Sequence, residues 1–251
     1  SQDIMPGVVV TSWIDDKAEM IKSSVRMIGM TMTYVQCTRE QALDPAVGAE
    51  MFLSAGVIRT GRRVPEPRQV REAVYLIRFD NPAALKMNIE DEGQTILKRE
   101  GKEVTLRVRT VDPPEDRGQR APPGIEKYLR PTTYLQSADP KVAAAARQAA
   151  AGEKDPWKRA ANLERWVFEA VAKKDLSVGF ASARETLDTR QGDCSEHAVL
   201  LAAMLRSVGT PSRVVFGLLY VDEPAAGGPL FGAHMWTEAW VGRWVALDAT
   251  L

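Results

Sequence analysis

The chain has 251 residues, with 33 Lys+Arg against 33 Asp+Glu, 45% hydrophobic and 26% charged. That composition suits one large folded domain or two modest ones and excludes disorder over the whole length. A formal net charge of zero gives a polyanion no long-range attraction, so nucleic acid is not an expected partner.

Two cysteines, Cys37 and Cys194, cannot build a disulfide framework and make one bridge at most. No apolar run approaches the roughly 20 residues of a membrane helix. No basic stretch precedes an apolar run at the start, so no signal peptide is expected there.

The first hundred residues read as strands. Val8–Ile14 is apolar and β-branched and is followed by the turn-like Asp15-Asp16-Lys17. Glu19–Met27 and Met30–Cys37 come next, separated at Gly29, and Thr38–Leu43 reads as one helical turn. Further strands are expected at Val57–Thr60, Val70–Phe79 and Val104–Val111. Val74 and Leu76 alternate with the equally apolar Tyr75 and Ile77, which leaves the buried face undecided. An antiparallel β domain is expected over 1–111. Pro113, Pro114, Pro122, Pro123 and Pro131 then deny both helix and central strand. Residues 112–135 are therefore expected to be an extended, exposed linker.

The pattern then turns helical. Asp139-Pro140 and Asp155-Pro156 are N-cap and first-turn signals. The Ala-rich run after Val142 stops at Gly152. Leu163, Trp166, Val167, Ala170 and Val171 recur at helical spacing. Ser182 with Glu185, and Asp193 with Glu196, have capping-box spacing. The second box opens a helix to about Val208 that is apolar on nearly all sides and is therefore buried. Strands follow at Ser212–Val221, Met235–Val241 and Arg243–Leu247, the last two a hairpin through Gly242.

The chemistry concentrates in Gly192-Asp193-Cys194-Ser195-Glu196-His197. Cys194 stands in the first turn of the buried helix, where unpaired N–H groups and the helix dipole favour a thiolate. The adjacent Asp193 carboxylate opposes that, so a histidine partner would decide it. The chain has two histidines. His197 shares the helix face of Cys194 and reads either as a group behind the thiolate or as a plain helix residue. His234 begins the first strand of the hairpin and Asp248 ends the second, so antiparallel pairing can join them. A carboxylate beside an imidazole fixes its tautomer and stabilises its protonated form.

Three blocks carry a family resemblance: Gly192–Ala198, the segment His234-Met235-Trp236-Thr237-Glu238-Ala239-Trp240, and Trp244–Thr250. In this order, with Gly209–Val215 between the first two, residues 136–251 resemble the transglutaminase-like core, closest to its bacterial members within the papain-like cysteine enzymes. The resemblance implies an α+β fold in which the helix bearing the cysteine packs on an antiparallel sheet. It implies that Cys194 is the nucleophile, His234 the general base and acid, and Asp248 the third member. The implied activity is acyl transfer on peptide or glutamine-type amides through a thioester, ending in hydrolysis or transamidation on a protein or peptide substrate. No organic cofactor is implied. A bacterial periplasmic or envelope location is.

The Cys194 N–H is one expected oxyanion donor, and Gln191 is a possible second. Trp236 lies on the His234 face by period-two alternation and reads as a cleft wall, while Trp240 and Trp244 read as core. Cys37 reads as structural. The Gly- and Pro-rich loop 222–232 is either a flap over the site or a plain surface loop. Two alternatives stay open. One is a non-catalytic peptide- or protein-binding module on this scaffold. The other is a zinc site from Cys194, His197, His234 and Asp248, which lacks the usual paired-cysteine spacing. No dense run of oxygen ligands suggests calcium.

Overall fold

The computed structural model describes residues 2–5, 8–27, 30–39, 57–80, 89–115, 121–173, 181–222 and 228–251. These form two compact units. One comprises Ser1–Gly61 with Leu218–Ala233, the other Arg62–Gly217 with His234–Leu251.

In the first unit β1 (Gln2–Met5), β2 (Val8–Ile14), β3 (Met20–Met27) and β4 (Met30–Val35) form an antiparallel sheet in chain order. The β2–β3 turn sits where the Asp-Asp-Lys signal puts it. Asp15 Oδ1 accepts the N–H groups of Lys17 and Glu19, both at 2.9 Å, as an aspartate at a turn start does. The short β5 (Ile58–Arg59) pairs antiparallel with the first residues of β10 (Leu230–Trp240), Arg59 opposite Leu230 and Ile58 opposite Phe231.

The second unit opens with a three-stranded sheet ordered β6 (Glu72–Arg78), β8 (Glu103–Arg109), β7 (Gln94–Glu100). Its register decides the face the sequence left open. Tyr75, Leu106 and Ile96 share one level, and Ile77 pairs with Val104. Val104 and Leu106 are buried, while Val74 and Leu76 on the opposite face are exposed. Of the expected strands, all six from Val8 to Val111 are present within a few residues. β1 and β7 were not anticipated; β7 ends in Lys98-Arg99-Glu100, fully exposed, a polar edge strand with no apolar alternation to betray it. The expected helical turn at 38–43 lies outside the described residues beyond 39.

The stretch 112–135 differs from expectation. It is not wholly extended or exposed: Ile125–Leu129 is a 3-10 helix, Tyr128 stands edge-on to Trp244 with ring centroids 4.9 Å apart, and Leu135 joins the core. The prolines bracket this segment without preventing the apolar residues between them from packing.

Four helices follow: α1 (Pro140–Ala150), α2 (Pro156–Ala170), α3 (Ala183–Thr189) and α4 (Cys194–Ser207). Each begins at the signal read from the sequence. Asp139 accepts from Lys141 N and Val142 N, Asp155 from Lys158 N, and Ser182 and Asp193 form complete capping boxes with Glu185 and Glu196. Helix α4 is the core element, buried without a break from Ser195 to Arg206. Val142, Leu163, Val167 and Leu187 of the other helices pack around it. On the sheet side β9 (Ser212–Val221) and β11 (Trp244–Leu247) flank β10. Ala239, Val245 and Leu247 complete the core, and Thr237 Oγ1 donates to the Ala198 carbonyl at 2.9 Å. A cysteine-bearing helix thus packs on an antiparallel sheet, the α+β arrangement the sequence implied. Among the described residues no helix is long and apolar enough to cross a membrane.

Candidate active site

The start of α4 is held by side chains that satisfy its orphan amides. Asp193 Oδ1 accepts the Ser195 N–H at 2.8 Å and Glu196 Oε2 accepts the Asp193 N–H at 3.0 Å. Glu196 is fully buried, and its Oε1 takes the Ala181 N–H at 2.9 Å and the Ser195 hydroxyl at 3.0 Å. Burial foremost, and the Asp193 charge besides, raise its carboxyl above the ordinary glutamate range despite these donors. One buried side chain therefore joins the entry of α3 to the first turn of α4. Gly192 makes room for it. A Cβ there would stand 2.2 Å from Glu196 Cβ, and its φ is +153°. Cys194, half-buried with a free thiol, is the first residue of the helix. Its N–H is among those with no intrahelical acceptor.

His234 and Asp248 meet as the hairpin reading requires. β10 and β11 pair from Thr237 opposite Leu247 to Trp240 opposite Trp244. Beyond that ladder His234 Nε2 lies 2.6 Å from Asp248 Oδ2. The Cys194 side chain is close enough to act on the same imidazole, raising its pKa together with Asp248. Asp248 Oδ1 accepts the Thr250 N–H at 3.0 Å. Its amide donates to Glu164 Oε1 of α2 at 2.7 Å.

The electrostatics follow from this chain of contacts. Burial, the largest influence on His234, disfavours its charged form. The hydrogen bonds and negative charges of Asp248 and Cys194 outweigh it and raise the imidazole to about 9. Burial likewise pushes Asp248 up, but the hydrogen bonds from His234 and Thr250 leave it below the ordinary aspartate range.

A pH dependence of stability follows. A histidine raised from 6.5 to about 9 stabilises the fold fully below 6.5, and that contribution is lost as pH rises through about 9. The expected loss is about 3 kcal/mol. Urea titrations at pH 6 and pH 10 should show it in the wild type and a much smaller change in His234→Gln. Equal changes in unfolding free energy between the two pH values in both proteins would contradict it.

Other residues singled out from sequence fall as follows. His197 is fully buried in α4, with Nδ1 2.6 Å from the Asp193 carbonyl, so one ring nitrogen serves the helix start. Gln191 forms a parallel bridge with Lys173, and its Oε1 accepts from Lys173 Nζ at 3.2 Å. Trp236 lies beside the histidine, ring centroids 6.4 Å apart and planes 22° apart. Its indole covers Gly217, where a Cβ would come within 2.5 Å of the ring. Trp240 and Trp244 are half-buried and meet edge to face at 5.7 Å, with the Arg213 guanidinium 4.5 Å over Trp244. Cys37 is exposed rather than built into a core. Of the loop 222–232, residues 223–227 lie outside those described.

Sequence reasoning missed Gly217 and Glu164. A glycine inside the strand run Val214–Val221 is itself a sign of close approach. Nothing in the spacing marks Glu164. The zinc alternative finds no geometry: among the described residues no group of three or more His, Cys, Asp or Glu is arranged to hold a metal ion.

Comparison with known proteins agrees with this architecture. Residues 143–249 match the model of the Transglutaminase-like superfamily. An uncharacterized protein of Mycobacterium leprae (strain TN) is 31% identical over 132 residues, covering 50% of this chain and 46% of that protein. A protein-glutamine gamma-glutamyltransferase of Pseudomonas aeruginosa is 36% identical over 100 residues, covering 36% of this chain and 15% of that protein. The chain thus spans less than half the length of either relative. Among solved structures, a candidate cysteine protease from Cytophaga hutchinsonii superposes with a TM-score of 0.53 at 18% identity, covering 72% of each chain, a likeness of fold. The helix bearing Cys194 and the hairpin bearing His234 and Asp248 lie within residues 143–249, the span that matches the transglutaminase-like superfamily model.

Proposed function

We propose that the chain is a cysteine-dependent acyl-transfer enzyme acting on peptide or glutamine-type amides through a thioester. Its catalytic core is 136–251, preceded by an antiparallel β domain over 1–111 and the segment 112–135. The observation that carries this reading is the 2.6 Å contact of His234 Nε2 with Asp248 Oδ2, with Cys194 close enough to act on the same imidazole. The His234 imidazole, raised to about 9, is the proton carrier that a cysteine nucleophile requires.

In the proposed cycle Cys194 Sγ attacks the amide carbonyl carbon. The oxyanion takes a hydrogen bond from the Cys194 N–H, with Gln191 a candidate second donor. His234 gives its proton to the departing amine or ammonia as the C–N bond breaks, leaving a thioester and a neutral imidazole. Water or an amine then attacks the thioester, His234 takes up the proton, and the thiolate leaves. Asp248 holds the imidazole in orientation throughout. Trp236, stacked beside His234 over Gly217, forms a wall of the cleft. The resemblance to bacterial members supports a place in the cell envelope.

The test is ammonia release from blocked glutamine peptides and peptide cleavage, each measured with and without a primary amine. Turnover in the wild type with loss of at least about a thousandfold in Cys194→Ala is the expected result. Turnover surviving in Cys194→Ala would refute the mechanism. Binding without turnover would favour a recognition module.

A further inference from the structure

Asp248 is the first residue beyond β11, and the ladder to β10 ends one residue earlier, at Leu247 opposite Thr237. Its half-buried amide therefore has no strand partner. The acceptor is Glu164 Oε1, 84 positions away in sequence and 2.7 Å away in space. The base of that arm is rigid. Leu163 and Val167, on either side of Glu164 in α2, are fully buried in the core, and Asp155 caps the helix. We propose that Glu164 is a positioning residue for the His234–Asp248 pair, fixing the Asp248 backbone from helix α2 so that its carboxylate meets the imidazole. This rests on the reading of Cys194, His234 and Asp248 as a triad.

Three anchors then define Asp248: Glu164 on its amide, Thr250 N–H on Oδ1 and His234 on Oδ2. The Thr250 bond is local, two residues along the same turn, and moves with the chain. Glu164 ties the turn to a helix, outside the hairpin that carries His234 and Asp248. The choice of a carboxylate is informative. A neutral glutamine would accept the same N–H, whereas Glu164 faces the like charge of Asp248, which costs free energy. Burial first, and then that neighbouring charge, raise Glu164 above the ordinary glutamate range, with the Asp248 amide opposing them. Among the described groups, those acting on His234 are Asp248 and Cys194, and the charge acting on Glu164 is Asp248. The next side chain, Arg165, turns to Asn162 at 3.0 Å.

The experiment is an NMR titration of the histidine side chains. The chain has two histidines, assigned by His234→Gln. Wild-type His234 should titrate at about 9. Glu164→Met keeps length and helix propensity but offers no acceptor, and should lower the titration point by about 1 or more. Glu164→Asp keeps the charge but withdraws it by one methylene; it should also lower the point, and it carries the test if the methionine variant does not fold. Glu164→Gln restores the acceptor and should recover at least half of the loss. A folded Glu164→Met or Glu164→Asp protein titrating like the wild type would overturn the positioning role and leave the triad standing. A wild-type His234 titrating near the ordinary value of about 6.5, unmoved by Asp248→Asn, would overturn both.

Discussion

Iodoacetamide should alkylate Cys194 at pH 6 at least about tenfold faster than Cys37 in the same protein, and His234→Ala should abolish that advantage. Cys37 is the exposed free thiol of the chain and Cys194 the half-buried one, so access alone predicts the opposite order. An ordinary thiol with a pKa of roughly 8.5 is about 0.3% thiolate at pH 6. Excess reactivity there requires a positive partner at the sulfur. The His234 imidazole, on which Cys194 acts, is raised to about 9, which supplies that partner across the acid and neutral range. Peptide mass spectrometry follows both cysteines in one reaction, so differences in reagent concentration cancel. A Cys194-to-Cys37 ratio that is the same in wild type and His234→Ala would mean that the imidazole does not activate the sulfur.

The second large effect is expected at Gly192. Alanine there brings its Cβ to 2.2 Å from Glu196 Cβ and 2.5 Å from Cγ. The obstacle is the root of a fully buried side chain on the first turn of α4, not the far end of a flexible one, so rotation cannot relieve it. Either the helix start shifts or Glu196 leaves its site. The latter strands the amides of Ala181 and Asp193, and an unsatisfied buried donor costs about 1–3 kcal/mol. With overpacking added, Gly192→Ala should lose about 3 kcal/mol or more and lower Tm by roughly 6–12 °C. Because Cys194 is two residues away, the alkylation advantage should fall as well. A melting point within about 2 °C of wild type would show that the loop accommodates the methyl group.

Much of the site was readable from local spacing. Caps are short-range devices: Ser182 with Glu185 and Asp193 with Glu196 act across three residues, and both form as written. The hairpin brings His234 near Asp248 because period-two alternation about a tight turn puts both on one face just beyond the ladder that ends at Thr237 and Leu247. Reading failed where the decisive contact is remote or the strand carries no alternation. The polar β7 shows no apolar period. The prolines of 112–135 point to an extended linker, and the packing of Tyr128 on Trp244 and of Leu135 in the core overrides them.

The sequence by itself determined the order of the α-helices and of most strands, the N-cap of each α-helix, the burial of α4 with Cys194 at its N-terminus and the hairpin that carries both His234 and Asp248. These depend on neighbours within a turn or across a tight loop, where residue type and spacing decide the energy. Only the tertiary structure decided that Glu164 receives the Asp248 amide, that Gly217 lies under Trp236, and that Arg213 stacks on Trp244 while paired with Glu238 at 2.6 Å. Such contacts join residues with no periodic relation, because they arise when separately stable faces pack together, and which pairs then meet is a property of the assembled core.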